Sequence, residues 1–450
     1  MAQIHVSADA VRGPLELWRH SIGHGGINPL PLPDRVVQGA AKLHPRLIRI
    51  FIQEFFRIYP QHGRFDWSLL DPYMDALART GAQVVAAITI KPKPLYPEID
   101  QTIWRPNDVA EWQHVIYELA HRYSVEKPLV THWEVGNEFD CGEGGGCPYL
   151  IADPRDYAEY YEMTLQPILA AYPQAKVGGP AQGVLHQEPL PGFVKQCAQR
   201  GTQLDLLTWH LYHSDPGRHG YQTRIARLLA QELPRQPELM VTEWSCGFPA
   251  ASVQDEAFET RRAASVAASI LEMRQAGLHG SFYYHLWDQV CYPDDFAPFF
   301  SQPGINAMVR HWNERPHRFG LFGVNEEVRP QYFVFQMLSR LGEDELAASS
   351  DDHDVRVLAG RATGNVSVLA VNHSLDVPRD RLVTLSFADL PAGTKRLTLW
   401  RIDKERRWDA DRLELLPMEQ RETYTRREYE CQFLLPADSV ALLQLRNVVD

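Results

Sequence analysis

The sequence predicts an α/β fold, a (β/α)8 TIM barrel of eight parallel strands, followed by an antiparallel β-sandwich. Short apolar runs rich in Val, Ile and Leu alternate with longer amphipathic stretches over residues 12–342, which is typical of parallel strands covered by helices. The strand-helix unit occurs eight times, and a plain barrel of this kind needs about 250 residues. From residue 343 onward, short strand-like runs are separated only by turn residues, which is typical of a sandwich.

The barrel strands are predicted where apolar runs end at polar residues. They are 14–23, 46–52, 82–90, 130–138, 175–181, 204–212, 238–245 and 280–288. Helices are predicted at 66–81, 108–123, 153–172, 223–236 and 255–277, with a closing helix at 329–342. Several of them begin at Asp, a preferred capping residue, and some end at Gly. A doubly wound open sheet is the alternative, but no GxGxxG follows an early strand, so the barrel is favoured.

Two domains are predicted from the length and the change of pattern. A chain of 450 residues exceeds what one hydrophobic core usually serves. The barrel takes residues 12–342, and residues 1–11 plus 343–450 form the sandwich, because QIHVSAD near the N-terminus is also strand-like. The sandwich is interpreted as a structural support. A carbohydrate-binding role is the alternative, although its aromatic residues form no stacking row.

Charge and composition limit the partners. The chain has 45 basic and 57 acidic side chains and a net charge of −12, and both signs are interspersed. This argues against a nucleic-acid partner or an anionic membrane and suits a neutral substrate. The first residues show no secretory signal and no apolar run reaches the length of a membrane span, so a cytoplasmic location is expected. Cys141 and Cys147 flank a glycine-rich loop and leave a disulfide or a metal site open as alternatives.

Two acidic motifs indicate the chemistry. HWEVGNEFD (132–140) places Glu138 at the end of the fourth predicted strand, and ELMVTEWS (238–245) places Glu243 near the end of the seventh. The active sites of such barrels lie at the carboxyl ends of the strands. Two carboxyl groups facing each other there are what glycoside hydrolysis by double displacement requires. We assign Glu243 as nucleophile and Glu138 as acid/base; solvated rim glutamates are the alternative.

Neighbouring polar residues fit the same reaction. Asn137 is expected to donate a hydrogen bond to the sugar hydroxyl beside the reacting carbon, or else to satisfy buried backbone. Arg49 lies in the apolar run LIRIF and is costly to bury unpaired, so it is expected to contact Glu243. A purely structural ion pair is the alternative. Such a partner would keep Glu243 ionised while Glu138 stays protonated.

The remaining candidates lie on the other strand ends. His210 and Tyr212 share one face of the sixth predicted strand; Tyr212 is expected to orient the nucleophile and His210 to bind a sugar hydroxyl. Trp287, Tyr284 and Trp133 are candidates for stacking on a sugar ring, with core packing as the alternative for Tyr284 and Trp133. His24, in the loop after the first strand, and Glu134, below Glu138, are second-choice site residues. No cofactor and no metal are predicted.

These motifs resemble a known family. WEVGNE and VTEW, together with Arg49, His210 and Tyr212, resemble the clan A glycoside hydrolases, which carry catalytic glutamates on strands four and seven. The chain is most similar to glycoside hydrolase family thirty-nine, which holds β-xylosidases, α-iduronidases and some exopolysaccharide-cleaving enzymes. FDWSLLDPYMDAL (65–77) and FGLFGVNEEVRPQYFVFQML (319–338) add to the resemblance. The family usually has Trp before and Pro after the Asn-Glu pair, whereas this chain has Gly136 and Phe139.

The resemblance implies a retaining, exo-acting glycosidase of the β-xylosidase type. The same mechanism acting on a uronide, an arabinoside, a glucoside or an exopolysaccharide is the second hypothesis. A carbohydrate-binding barrel without catalysis is the third. A metal-dependent hydrolase is disfavoured because no HExxH motif is present. The oligomeric state is left open.

Overall fold

The computed structural model describes residues 1–15, 21–247, 256–314, 318–405 and 408–448. Its strands are β1 (Ala2–Pro14), β2 (Ser21–His24), β3 (Leu47–Gln53), β4 (Gln83–Thr89), β5 (Val130–Val135), β6 (Lys176–Gln182), β7 (Leu206–Tyr212), β8 (Glu238–Ser245), β9 (Gly280–Tyr284), β10 (Asp344–Ser350), β11 (Val355–Ala362), β12 (Asn365–Asn372), β13 (Arg381–Ala388), β14 (Gly393–Ile402), β15 (Glu419–Thr425), β16 (Tyr429–Leu435) and β17 (Ser439–Asn447).

The α-helices of the described residues are α1 (Asp34–Lys42), α2 (Leu70–Ala78), α3 (Val109–His121), α4 (Pro154–Ala171), α5 (Leu190–Arg200), α6 (Pro216–Ala230), α7 (Glu256–Gln275), α8 (Pro293–Phe296), α9 (Gln302–Val309) and α10 (Pro330–Ser339). The helix starts follow from the sequence where a side chain caps them. Asp108, Asp153 and Asp215 each accept a bond from a backbone N–H in the first turn of α3, α4 and α6, as capping residues do.

Strands β2 to β9 close into a parallel barrel, so the predicted fold class is confirmed. At the amino end of the strands, a buried apolar layer fills the interior: Leu47, Val85, Leu206, Met240 and Phe282. Polar side chains begin one layer higher, at Arg49 of β3, which is buried in spite of its charge. The barrel is therefore a packed core below and a polar site above, as in other barrels of this type.

Several predicted boundaries were wrong. The first barrel strand is Ser21–His24, and Pro14, the first residue of the predicted run, is instead the last residue of β1. The predicted residues 16–20 lie outside the described part of the chain. The fourth strand ends at Val135 rather than at residue 138. Gly136 has φ +105° and turns the backbone out of the strand. The eighth strand ends at Tyr284 instead of 288. Helices α1, α5, α8 and α9 were not predicted.

The second module is one curled sheet in the order β15-β14-β17-β12-β11-β10-β1-β13-β16. The first strand, β1, pairs antiparallel with β10 and parallel with β13. Alternate residues of the two halves of the sheet enclose one apolar core, which includes Ile4, Val368, Leu385 and Leu443. The opposite face of β12 and β17 joins the barrel core through Leu369, Val371, Val440 and Leu442. This sheet therefore packs on the outside of the barrel.

In the described residues, no helix is both long and apolar enough to cross a membrane.

Candidate active site

Arg49 is the centre of a buried polar cluster at the carboxyl ends of the barrel strands. It is 2% exposed. Its guanidinium donates to Glu134 Oε2 at 2.7 Å, to Glu243 Oε2 at 3.1 Å and to Asn137 Oδ1 at 2.8 Å. A planar fork of five N–H donors suits such multiple recognition. Glu134 is completely buried. The charge of Arg49 therefore offsets the charges of two carboxylates, those of Glu134 and Glu243, and its third hydrogen bond fixes the amide of Asn137.

Glu243 lies inside β8, opposite His210 of β7. Its two oxygens have different donors: Tyr212 Oη donates to Oε1 at 2.5 Å, and Arg49 donates to Oε2. Burial raises the pKa of Glu243, and the neighbouring Glu138 acts in the same direction. The charge of Arg49 and the Tyr212 hydrogen bond oppose that rise, as a protonated His210 would, but the pKa of Glu243 stays above its ordinary value. The donors around Glu243 therefore favour its ionised form.

Glu138 lies beyond its strand, in a loop. Its φ is +45°, and its N–H donates to the carbonyl of Ala181 at 2.8 Å. The carboxyl oxygen Oε1 is 2.8 Å from His210 Nδ1. Burial raises the pKa of Glu138 to about 8, with a further contribution from Asp140 that exceeds the opposing effect of Arg49. The surroundings of Glu138 therefore favour its protonated form at neutral pH.

His210 is 1% exposed, and burial lowers its pKa to about 4. A neutral imidazole has one acceptor nitrogen and one N–H. In the tautomer with Nδ1 as the acceptor, protonated Glu138 donates to it across the 2.8 Å contact, which stabilises the acid form. One carboxylate oxygen of Glu138, one of Glu243 and a ring nitrogen of His210 all lie within 4.8 Å of one another. The two glutamates are thus close to the separation of about 5 to 5.5 Å that retaining glycosidases have.

A cavity of about 500 Å³ opens above the two glutamates. One side is aromatic: Phe51, Tyr212, Tyr284, Trp312 and Phe319 line it, with ring centroids 5.6 Å apart for Tyr212 and Phe319 and 5.8 Å apart for Tyr284 and Trp312. Aromatic faces suit the apolar face of a sugar ring. The cavity also combines a few polar groups with mostly apolar walls, as ligand sites do.

A comparison with protein families decides the classification. The model of glycosyl hydrolases family 39 matches residues 47–386. The chain belongs to this family. Two curated relatives are β-xylosidases, one from Geobacillus stearothermophilus (22% identical over 345 residues) and one from Caldicellulosiruptor saccharolyticus (20% over 339). These matches cover 68% and 69% of this chain but 62% and 64% of the relatives, so the chain matches less than two thirds of their length.

Solved structures share the fold over nearly the whole chain. A monomeric β-xylosidase from Caulobacter crescentus CB15 superposes with a TM-score of 0.79 at 19% identity, covering 99% of this chain and 100% of the other. A family 39 enzyme from Xanthomonas axonopodis pv. citri superposes with a TM-score of 0.75 at 18% identity, covering 99% and 97%. At such identities the likeness shows the fold alone.

The two departures from the usual family 39 motif are coupled in this chain. A Cβ on Gly136 would lie 2.6 Å from the Phe139 ring, so any larger residue there would collide with Phe139. The ring of Phe139 packs in turn among Tyr149, Tyr157 and Tyr160. Gly136 and Phe139 therefore form one packing unit beneath the acid/base, and neither lines the cavity in the part of the chain that is described.

Not all residues predicted for this family 39 site reach the cavity. Tyr284 lines it and donates to the carbonyl of Gly25 at 3.0 Å. Glu134 lies beneath it as the partner of Arg49. Of the two alternatives for Trp133, sugar stacking and core packing, the structure shows core packing: its indole is fully buried and donates to Ser124 Oγ at 3.1 Å. The strand turns Trp133 outward, toward the surrounding helices.

His24 and Trp287 also lie behind the cavity wall. His24 is completely buried and packs against the rings of Tyr73, His285 and Trp287 at centroid distances of 6.1 to 6.4 Å. Burial lowers the pKa of His24 to about 3. Neither residue belongs to the described cavity lining, so the sugar stacking predicted for Trp287 and the site position predicted for His24 are corrected to a supporting position.

Sequence reasoning missed part of the aromatic wall. Trp312 lies in a short π-helical segment, Arg310–Glu314, and Phe319 follows soon after it. Neither belongs to a strand, so no strand pattern pointed to them. Phe51 offered a signal, since it lies two residues after Arg49 on β3 and therefore shares its face. Cys141 and Cys147 are both free thiols.

Proposed function

We propose that this protein is a retaining, exo-acting glycosidase that cleaves β-xylosides. One observation carries the proposal: Glu138 and Glu243 face each other across one cavity with oxygens within 4.8 Å, Glu243 between two hydrogen-bond donors and Glu138 against His210. Two like groups in different surroundings are suited to different tasks.

The geometry supports a double displacement. A Glu243 oxygen attacks the anomeric carbon, the glycosidic C–O bond breaks, and the Glu138 proton passes to the leaving oxygen. A water molecule then attacks the same carbon while Glu138 takes one of its protons, and the bond to Glu243 breaks. Asn137 has its oxygen held by Arg49 and its amide donating to the Gly145 carbonyl at 3.3 Å. The second amide hydrogen is the one proposed to bind the sugar.

The cavity chemistry favours a neutral sugar. The described lining residues include Glu138 and Glu243 but no Lys or Arg, and the nearby Arg49 is engaged by Glu134, Asn137 and Glu243. A uronate would bring another carboxylate beside Glu243, and the described lining offers His311 but no permanently charged cation to pair with it, which is unfavourable. The curated relatives named β-xylosidases support xylose in particular.

Exo action is supported by closure of the mouth on one side. Loops that follow opposite barrel strands meet there: Ser301 N–H donates to Glu143 Oε1 at 2.9 Å. Gln53 Nε2, at the end of β3, donates to the carbonyl of Gly146 at 2.6 Å. A long polysaccharide needs a groove open at both ends, whereas this closed side suits the end of a chain.

The test is hydrolysis of aryl glycosides by the purified protein. We expect the β-xyloside to be cleaved faster than the β-glucoside, the α-arabinoside and the α-iduronide, and nuclear magnetic resonance to show the β-anomer of xylose forming first. First appearance of the α-anomer would contradict a retaining mechanism. Binding of xylose by calorimetry without turnover of any substrate would instead support a non-catalytic barrel.

A metal-dependent hydrolase is the second candidate, because Glu138, His210 and Glu243 bring three potential ligand atoms together. The guanidinium of Arg49, 3.1 Å from Glu243, opposes a cation at that position by charge repulsion. We therefore expect full activity after dialysis against a chelator. Loss of activity that added divalent metal restores would favour the second candidate.

A further inference from the structure

A glycine-rich segment lies directly over the acid/base. Gly145 approaches Glu138 so closely that a Cβ on this glycine would lie 2.2 Å from Glu138 Oε2 and 2.9 Å from its Cβ. The carbonyl of Gly145 also accepts the bond from Asn137. Backbone, rather than solvent, therefore covers one oxygen of the acid/base. The φ angle of Gly145 lies outside the left-handed region, so the close approach, not the backbone conformation, is what requires glycine here.

Glu143 fastens this segment from the other side. It is 4% exposed, and its carboxylate accepts bonds from both the N–H and the hydroxyl of Ser301. Ser301 caps α9, and Gln101 accepts the Glu143 N–H at 2.9 Å. A Cβ on Gly304, in the first turn of α9, would collide with the Glu143 carboxylate at 2.3 Å. The contacts of Glu143 with Ser301, Gln101 and Gly304 hold the glycine-rich segment in one position.

We propose that Gly145, held in position by Glu143, is a positioning residue that keeps Glu138 aligned with the leaving oxygen and shields it from water. The inference rests on the proposed glycosidase function, and it assigns to the loop after the acid/base a direct effect on proton transfer. Displacing the cover would let the carboxyl rotate away and become hydrated, because His210 contacts Oε1 and the Gly145 backbone lies against Oε2.

Leaving groups of different acidity test this. A good leaving group such as 2,4-dinitrophenolate departs without a proton, whereas phenolate needs one. Gly145→Ala should therefore reduce kcat/KM on phenyl β-xyloside by about 10²-fold, the lower end of what general acid catalysis contributes, and on the dinitrophenyl substrate by much less. Gly144→Ala adds the same methyl one residue earlier, where nothing lies within 4 Å. Its dependence on the leaving group should equal that of the unchanged protein.

A second pair of variants keeps the inference testable if Gly145→Ala unfolds. Glu143→Gln retains the shape but weakens the bonds to Ser301, so it should shift the same leaving-group dependence less strongly. It should also move the basic limb of the pH profile of kcat/KM to lower pH, because water then reaches Glu138. Glu98→Ala removes an exposed glutamate from a neighbouring loop and should change neither measurement.

Equal losses on both leaving groups in Gly145→Ala and Glu143→Gln, with an unmoved pH profile, would overturn the positioning role while leaving the glycosidase proposal intact. If the protein without substitutions cleaves no glycoside, both the proposed function and this inference are wrong.

Discussion

The two glutamates of the site are held in opposite ways. Glu243 lies within β8, where the ladder with β7 fixes its backbone and Arg49 and Tyr212 donate to its two oxygens. Glu138 lies three residues beyond β5 in a loop with φ +45°, against neutral His210 and the backbone of Gly145. The Glu243 carboxylate lies on a strand and accepts hydrogen bonds from two donors. The Glu138 carboxyl lies on a loop, in a less polar environment.

The difference matches the two tasks proposed for them. A nucleophile must stay ionised in one geometry, which fixed donors achieve. An acid/base must lose and regain a proton, which requires a pKa near the working pH. Burial moves the pKa of Glu138 to about 8, and no donor with a full charge contacts it among the described residues. The surroundings, rather than the residue type, thus separate the roles.

The largest effect is expected from removing each of the two carboxyl groups in turn. Glu243→Ala should abolish turnover of every substrate, because no covalent intermediate can form. Glu138→Ala should reduce kcat/KM by about 10²- to 10⁴-fold for substrates with poor leaving groups. Sodium azide should restore turnover in both, giving the α-xylosyl azide with Glu243→Ala and the β-xylosyl azide with Glu138→Ala. The opposite product configurations, read by nuclear magnetic resonance, would mean that the two roles are exchanged.

The next test separates the charge on Arg49 from its structural pairing. Arg49→Met leaves buried Glu134 unpaired, and breaking such a pair costs about 3 to 5 kcal/mol of unfolding free energy. Adding Glu134→Gln removes the uncompensated charge and should restore part of that stability in urea denaturation. Activity should stay low in the double variant, because Glu243 still lacks its cation. Recovery of activity along with stability would show that Arg49 is only structural.

Tyr212→Phe removes the donor to Glu243 Oε1 and nothing else from the ring. A hydrogen bond to a charged group contributes about 1.5 to 3 kcal/mol, so kcat should fall by roughly 10- to 100-fold. The KM for aryl β-xyloside should change little, since the ring still lines the cavity. A matched change, Tyr284→Phe, removes the bond to Gly25 instead and should affect kcat less. An equal loss in both would argue against a specific role for Tyr212.

The same contrast explains what the sequence could predict. Alternation of strands and helices located the barrel, and the contact between Arg49 and Glu243 followed from the cost of burying an arginine inside an apolar strand. On strands, a period of two tells which residues share a face, which served for His210 and Tyr212. The same period places Trp133 on the opposite face of β5 from its neighbour Glu134, which agrees with the core packing that the structure shows.

Loop residues escaped prediction for a physical reason. The positions of Gly145, Trp312 and Phe319 depend on contacts between segments far apart in sequence, such as that of Glu143 with Ser301, and no local period reports such contacts. His24 and Trp287 lie near strand ends. Whether such a side chain points into the cavity or packs behind the cavity wall depends on neighbours such as Tyr73. The chemistry was therefore readable from strands, and the shape of the cavity was not.

The smallest expected effect concerns stability and pH, and it bears on Glu138 alone. Its folded-state pKa of about 8 lies above its ordinary 4.5, so the folded state binds the proton more tightly. That contribution favours folding fully below pH 4.5 and is lost as the pH rises to 8.

Glu138→Gln has no such titration. Its unfolding free energy should therefore exceed that of the unchanged protein by an amount that grows from pH 5 to pH 8 and then stays constant, reaching about 1 to 3 kcal/mol, less than the full shift because the carboxyl is partly exposed. Urea denaturation at several pH values measures the difference. A difference that does not grow over this range would mean that Glu138 is hydrated and ionised, and the contrast with Glu243 would then rest on geometry alone.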